Sequence, residues 1–302
     1  MSLTVEGAAL DRSEWMPQAT AHAERADALT AAHRARASRA EKHPVEDFLF
    51  TYYSYKPAIL RRWHPGPGVL LRDAPERAAW RWYRATDDGV AVDAAAFRCE
   101  RGSMFRGILN LLRATAARPA QFGCFGLHEW AMAYRVDDVR HAVPLRLGRD
   151  GTDAVVDAHQ LTCTHFDAFR FFTPEAAPLN RLPLRRDDQV EREQPGCLHA
   201  GMDVYKWAVK LGPLVPGPVL LDAFELARDI RTLDMEASPY DLTAWGYGAV
   251  PIETPEGKAL YVARQRALSA RGQTLRRRLI DAVTPVDDTP EGADFSPPRS
   301  VL

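Results

Sequence analysis

From Gln18 to Lys42 the chain contains neither proline nor glycine, and alanine is interspersed there with charged residues. Helix satisfies such a run best, because alanine loses least on entering one and nothing interrupts the hydrogen-bond ladder. Residues 12–42 are therefore predicted to form one long helix or two, with Trp15, Leu29 and a row of alanines as the packing face. His43-Pro44 ends the segment, since the residue before proline is pushed out of helical geometry. A second such run, Thr254 to Val283, carries its own start signal: Thr254 as cap, Pro255 at the first helical position and Glu256 in the first turn. Apolar spacing predicts further helices over Val45–Trp63, with a kink or break at Pro57, and over Ser103–Ala117, His199–Leu211 and Val219–Glu236.

After the turn-forming His64-Pro65-Gly66-Pro67-Gly68, short apolar or aromatic runs at Val69–Leu71, Trp80–Tyr83 and Val90–Val92 suit a small antiparallel sheet. Leu161–Phe172 reads as a strand. The expected fold class is mainly α (α+β), a helical body with one small antiparallel sheet. Residues 1–287 are expected to form a single globular domain, and residues 288–302, rich in Pro, Asp, Gly and Ser, a disordered tail.

A chain of 302 residues that is 46% hydrophobic can bury a core without a disulfide or a metal. No stretch approaches the ~20 apolar residues of a membrane span. Met1-Ser2-Leu3-Thr4-Val5-Glu6 has no basic region followed by an apolar run, so no secretory signal is read there. Cys99, Cys124, Cys163 and Cys197 are widely spread, which points to reduced thiols and a cytoplasmic location rather than a zinc ribbon or disulfide framework. The net charge of −1 hides basic stretches at Lys56–Arg84 and Arg264–Arg278. These could meet phosphate, though solvated helix faces account for them as well.

There is no Walker loop, no G-x-S-x-G, no G-x-G-x-x-G and no H-E-x-x-H. What stands out is three His–carboxylate pairs between Gly123 and Lys206: His128-Glu129, His165-x-Asp167 and His199-x-x-x-Asp203. On a strand, period 2 would put Cys163, His165 and Asp167 on one face. On a helix, His199 and Asp203 share a face, with Lys206 one turn on. Such a pair can transfer a proton or ligate a metal, whereas the plainer reading has each His satisfying a buried backbone group. A second feature is the aromatic run Phe48, Phe50, Tyr52, Tyr53, Tyr55 and Trp63, beside Lys56, Arg61, Arg62 and His64. It offers flat faces for an unstacked base and cations for phosphate. It suits equally a helix with an aromatic core face and a basic wet face.

Four segments carry a resemblance: His43-Pro44-Val45-Glu46-Asp47-Phe48-Leu49-Phe50-Thr51-Tyr52-Tyr53-Ser54, Arg61-Arg62-Trp63-His64-Pro65-Gly66, Gln194-Pro195-Gly196-Cys197-Leu198-His199-Ala200-Gly201-Met202-Asp203, and Leu233-Asp234-Met235-Glu236-Ala237-Ser238-Pro239-Tyr240-Asp241-Leu242. Together they make the chain resemble an actinobacterial family commonly labelled 3-methyladenine DNA glycosylase. The resemblance implies a DNA-repair hydrolase that cleaves the N-glycosidic bond of an alkylated base, with DNA as partner. No cofactor, no membrane and no obligate protein partner follow from it. In that chemistry a carboxylate stabilises an oxocarbenium-like sugar. Asp167, Asp203 and Glu129 are the candidates, in that order, with His165 or His199 tuning the carboxylate. Tyr52, Tyr53 and Trp63 would favour the cationic base, with Arg61 and Arg62 on phosphate. The alternative is a metal-dependent enzyme acting on a small molecule, with His165, Asp167 and His199 holding Fe or Zn. A third reading is a non-enzymatic nucleic-acid-binding module.

Overall fold

A computed structural model of the chain describes residues 8–136 and 143–287. The expected disordered tail, 288–302, lies outside the described residues. Five long helices dominate: α1 (Arg12–Ser38), α2 (Ala94–Ala117), α3 (Leu198–Leu211), α4 (Gly217–Glu236) and α5 (Pro255–Asp287). The sheet is small and mixed, in the order β1 (Ala9–Leu10), β2 (Leu70–Leu71), β4 (Gly89–Val92), β3 (Tyr83–Thr86). The chain is thus mainly α with one small sheet, as its periodicity predicts. No described helix is long and apolar enough to cross a membrane.

Three local expectations are corrected. β1 pairs parallel to β2, so the sheet is not purely antiparallel, and Trp80 to Trp82 precede β3 rather than join it. Val45–Trp63 holds only two short turns of helix, Phe48–Tyr52 and Pro57–Leu60. Ser54 sits between them with φ +57°, a conformation that ends a helix. Leu161–Phe172 is no strand. Leu161 makes a single bridge to Asn180, and Phe166–Phe169 is one turn of helix with His165 just before it.

α3, α4 and α5 pack on one another, and α5 also packs on α2. Close approach is possible because Gly201 of α3 faces α4: a Cβ there would lie 2.8 Å from Ile230 Cδ1. Thr254 caps α5, its Oγ1 accepting from Gly257 N at 3.0 Å. A hydrophobic cluster extends from Trp15 to Val286 through these helices.

Candidate functional site

α3 and α4 aim polar side chains into their common interior, where residues 124–129, 165–167 and 193 meet them. α4 makes this possible because its buried stripe Ala223, Ala227, Ile230 continues at helical spacing into Asp234, with Arg231 also buried. His128, Glu129, His165, Asp167, Glu193, His199, Asp203, Arg231 and Asp234 are all at most 9% exposed. Buried charges must be paired or neutralised, and here they are arranged as two groups.

The first group is His128, Asp234, Arg231 and Glu129. His128 Nε2 lies 2.8 Å from Asp234 Oδ1. Arg231 Nη1 donates to Asp234 Oδ2 at 2.8 Å and to Glu129 Oε1 at 2.7 Å. Burial opposes charge on His128, but Asp234 outweighs it and holds the imidazole well above its ordinary pKa. Burial likewise opposes charge on Asp234, yet His128, His199 and Arg231 keep the carboxylate well below its usual range.

The second group is His165, Glu193 and Asp203. His165 Nε2 lies 3.2 Å from Glu193 Oε1 and 3.4 Å from Asp203 Oδ2. Among the described residues, neither ring nitrogen of His165 makes an aligned hydrogen bond. Asp203 is otherwise locked: Tyr53 donates to Oδ1 at 2.7 Å and Lys206 to Oδ2 at 2.7 Å. Burial disfavours its charge, but Lys206 and His165 hold the carboxylate low. Burial pushes Glu193 up, helped by the neighbouring Asp203 charge. Against its own burial, His165 is raised because Glu193 and Asp203 face it.

His199 stands between the groups, its ring centroid 4.5 Å from that of His128 and 5.4 Å from that of His165. Burial and the charge on His128 depress it well below its ordinary pKa, so it is neutral near pH 7. The nitrogen and oxygen donors of His128, His199 and Asp234, and those of His165, Glu193 and Asp203, each converge within 4.8 Å. Asp167 does not join His165 and His199 in such a set. Its carboxylate meets Lys206 Nζ at 3.1 Å, Arg170 Nε at 3.3 Å and Arg186 Nη2 at 3.4 Å.

Of the aromatic and basic residues, two reach this site. Tyr53 holds Asp203, and Tyr52 stacks on Phe48 and meets Tyr53 edge-on. Trp63 is buried elsewhere, stacked on Trp15. Arg61 pairs with Asp27, and Arg62 lies over Trp80.

No sequence motif marks Glu193, Arg231 or Asp234. A signal existed for Asp234 and Arg231, since ionisable residues on the apolar stripe of a helix must find partners. Glu193 had only its position next to Gln194-Pro195-Gly196.

A cleft of about 420 Å³ is lined among others by Cys124, Cys163, Thr164, Arg181 and Gln194, while His165, Glu193 and Asp203 do not line it. Thr164 and Gln194 are chain neighbours of His165 and Glu193, and Cys124 Sγ lies 3.6 Å from His128 Nδ1. Cys124 is delivered by a tight turn in which Phe125 (φ +48°) and Gly126 (φ +74°) are both left-handed, a strained arrangement for phenylalanine. Compared with protein-family models, curated proteins and solved structures, the chain matches none.

Proposed function

We propose that the chain is a metal-dependent enzyme acting on a small polar molecule, with a divalent first-row metal held by His165, Glu193 and Asp203. One observation carries this reading: a buried imidazole faces two carboxylate oxygens at 3.2 and 3.4 Å without an aligned hydrogen bond. Donors bound to one tetrahedral ion at ~2.0–2.1 Å lie roughly 3.3 Å apart, and the two His165–carboxylate distances are compatible with that. The electrostatics agree. Glu193 and Asp203 both face His165, and a cation between them would relieve the repulsion of two neighbouring carboxylates. One imidazole with two carboxylates suits Fe, Mn or Zn.

Bound there, the metal would supply Lewis-acid activation of a substrate or water oxygen. The other roles belong to the chain's own residues. Tyr53 and Lys206 orient Asp203, as partners of a ligating carboxylate do. The cleft is of a size for a small ligand, and its hydroxyl, amide and guanidinium groups suit a polar one.

The test is metal content after loading with Fe(II), Mn(II) or Zn(II) and gel filtration. About one ion per folded chain is expected, falling at least tenfold in Asp203→Asn and His165→Ala. Folded wild-type chain that retains no ion from any of the three would sink the reading.

Base excision is the second reading, and the observation that favours it is the ionised Asp203 beside Tyr52 and Tyr53. A carboxylate there could stabilise an oxocarbenium-like sugar while the tyrosines meet a cationic base. Release of 3-methyladenine from methylated duplex DNA in excess EDTA, lost in Asp203→Asn or Asp167→Asn, would support it over the metal reading.

A further inference from the structure

The cleft of about 420 Å³ holds chemistry that the candidate metal centre does not use. Cys124 lines it and is partly exposed. Its Sγ lies 3.6 Å from His128 Nδ1, and the other ring nitrogen, Nε2, lies 2.8 Å from Asp234 Oδ1. Arg231 Nη1 holds Asp234 in turn, at 2.8 Å. A thiol in contact with an imidazole that a buried carboxylate orients is the arrangement of a cysteine nucleophile. It recurs on unrelated folds, so geometry identifies it rather than sequence order.

The local backbone serves this contact. Leu127 N donates to Cys124 O at 2.9 Å and closes the left-handed turn at Phe125 and Gly126. The turn sets Cys124 against the short helix Leu127–Ala131, which carries His128. Strain of this kind clusters at functional sites. The other thiols differ. Cys163 also lines the cleft, but it is buried and donates to His165 O at 3.5 Å, and burial pushes its thiol up. Cys99 is exposed and makes no side-chain hydrogen bond among the described residues.

We infer that Cys124 is a nucleophile for acyl transfer, with His128 as its proton carrier and a small anionic ester or thioester as substrate. Arg181 sets the charge preference, because it is exposed on the cleft and enters no ion pair among the described residues. Against the burial that opposes it, Asp234 keeps His128 charged, so the reacting form is a thiolate–imidazolium pair. Sγ attacks the acyl carbon, and a carbon–sulfur bond forms as the carbonyl oxygen takes the negative charge. Collapse of that intermediate breaks the bond to the leaving alkoxide or thiolate, which takes the Nδ1 proton of His128. Water then attacks the acyl-thioester and gives one proton to Nδ1. The carbon–sulfur bond breaks, which releases a carboxylic acid and restores the pair. Asp234 touches no substrate atom; it keeps Nδ1 aimed at sulfur.

No metal at His165, Glu193 and Asp203 is needed, so the test uses the full chain in EDTA. Limiting iodoacetamide, read by peptide mass mapping, should label Cys124 about tenfold faster than Cys99, although Cys99 is the more exposed thiol. Mono-p-nitrophenyl succinate should give a burst of about one nitrophenolate per chain and a succinyl adduct on Cys124. The uncharged acetate ester should react about fivefold more slowly, the worth of an exposed charge. Arg181→Gln should erase that preference, and Cys124→Ala should erase the burst. Asp234→Asn, checked as folded by circular dichroism, should slow labelling of Cys124 about tenfold and leave Cys99 unchanged. The comparison of the two thiols in the wild-type chain decides the inference even if that variant fails to fold. Cys124 labelled no faster than Cys99, or acylation elsewhere or not at all, would overturn the nucleophile. Equal rates with the two esters would overturn the anionic substrate.

Discussion

At the scale of single residues, sequence neighbours and chemical partners differ. Glu129 follows His128, yet its carboxylate goes to Arg231, 102 residues on, while His128 takes Asp234. Consecutive residues on a helix point about 100° apart, so an adjacent His and Glu seldom serve one atom. Glu129 is thus half of a buried clamp on Arg231. Replacing it with Gln leaves the guanidinium with one carboxylate in a dry site, where breaking a pair typically costs about 3 kcal/mol. Urea unfolding of Glu129→Gln should show a loss of that order. A loss below about 1 kcal/mol would mean that the clamp is wet and exposed in solution.

At the scale of elements, the site depends on how closely residues 193–197 lie against residues 121–124. Gln194 Oε1 accepts from Gln121 N at 2.8 Å and Gly196 N at 2.7 Å. From α5, Gln265 donates to Gly196 O at 2.8 Å and Ser269 to Pro195 O at 2.7 Å. A Cβ on Gly196 would lie 2.2 Å from Gln121 O, which is backbone and has no rotamer to turn away. Gly196→Ala should therefore cost about 3 kcal/mol, as overpacking does. It should also weaken metal retention at least tenfold by displacing Glu193. Gly107→Ala is the control: it lies inside α2 with nothing within 4 Å of the added Cβ, so helix propensity should make it neutral or slightly stabilising. Equal effects of the two, in thermal unfolding and metal content, would remove Gly196 from the site's support.

At the scale of the whole molecule, His64 should make stability fall at acid pH. His64 accompanies Tyr83, with its Nδ1 2.8 Å from the hydroxyl. Burial, and then the nearby charges of Arg77 and Arg62, lower its pKa to about 3. A histidine depressed in the folded state leaves stability intact above the unfolded value of about 6.5. As pH falls the unfolded chain takes up the proton first, so stability drops until pH reaches about 3. By pH 4 the loss from His64 should be on the order of 3 kcal/mol, and His64→Gln should flatten that part of the pH–stability curve measured in urea. An unchanged slope would show that His64 titrates normally in the folded protein. The sequence by itself determined the helical body. α3, α4 and α5 begin and end within a few residues of expectation, because prolines, a threonine cap and 3.6-residue spacing act over one or two turns. It also marked His128, Glu129, His165, His199 and Asp203, whose types and order are local facts, but not Arg231 and Asp234, which lie beyond the stretch from Gly123 to Lys206. Only the tertiary structure decided their partners and the shape of residues 161–172. Alternation over a few residues does not separate strand from turn when no neighbouring edge is present to pair with, and the small sheet lies elsewhere in the chain. His165 faces Glu193 and Asp203 because α3 carries Asp203 to it and α5 holds residues 193–197 against the site. Contacts that span 28 to 106 residues leave no periodic trace in the chain that makes them.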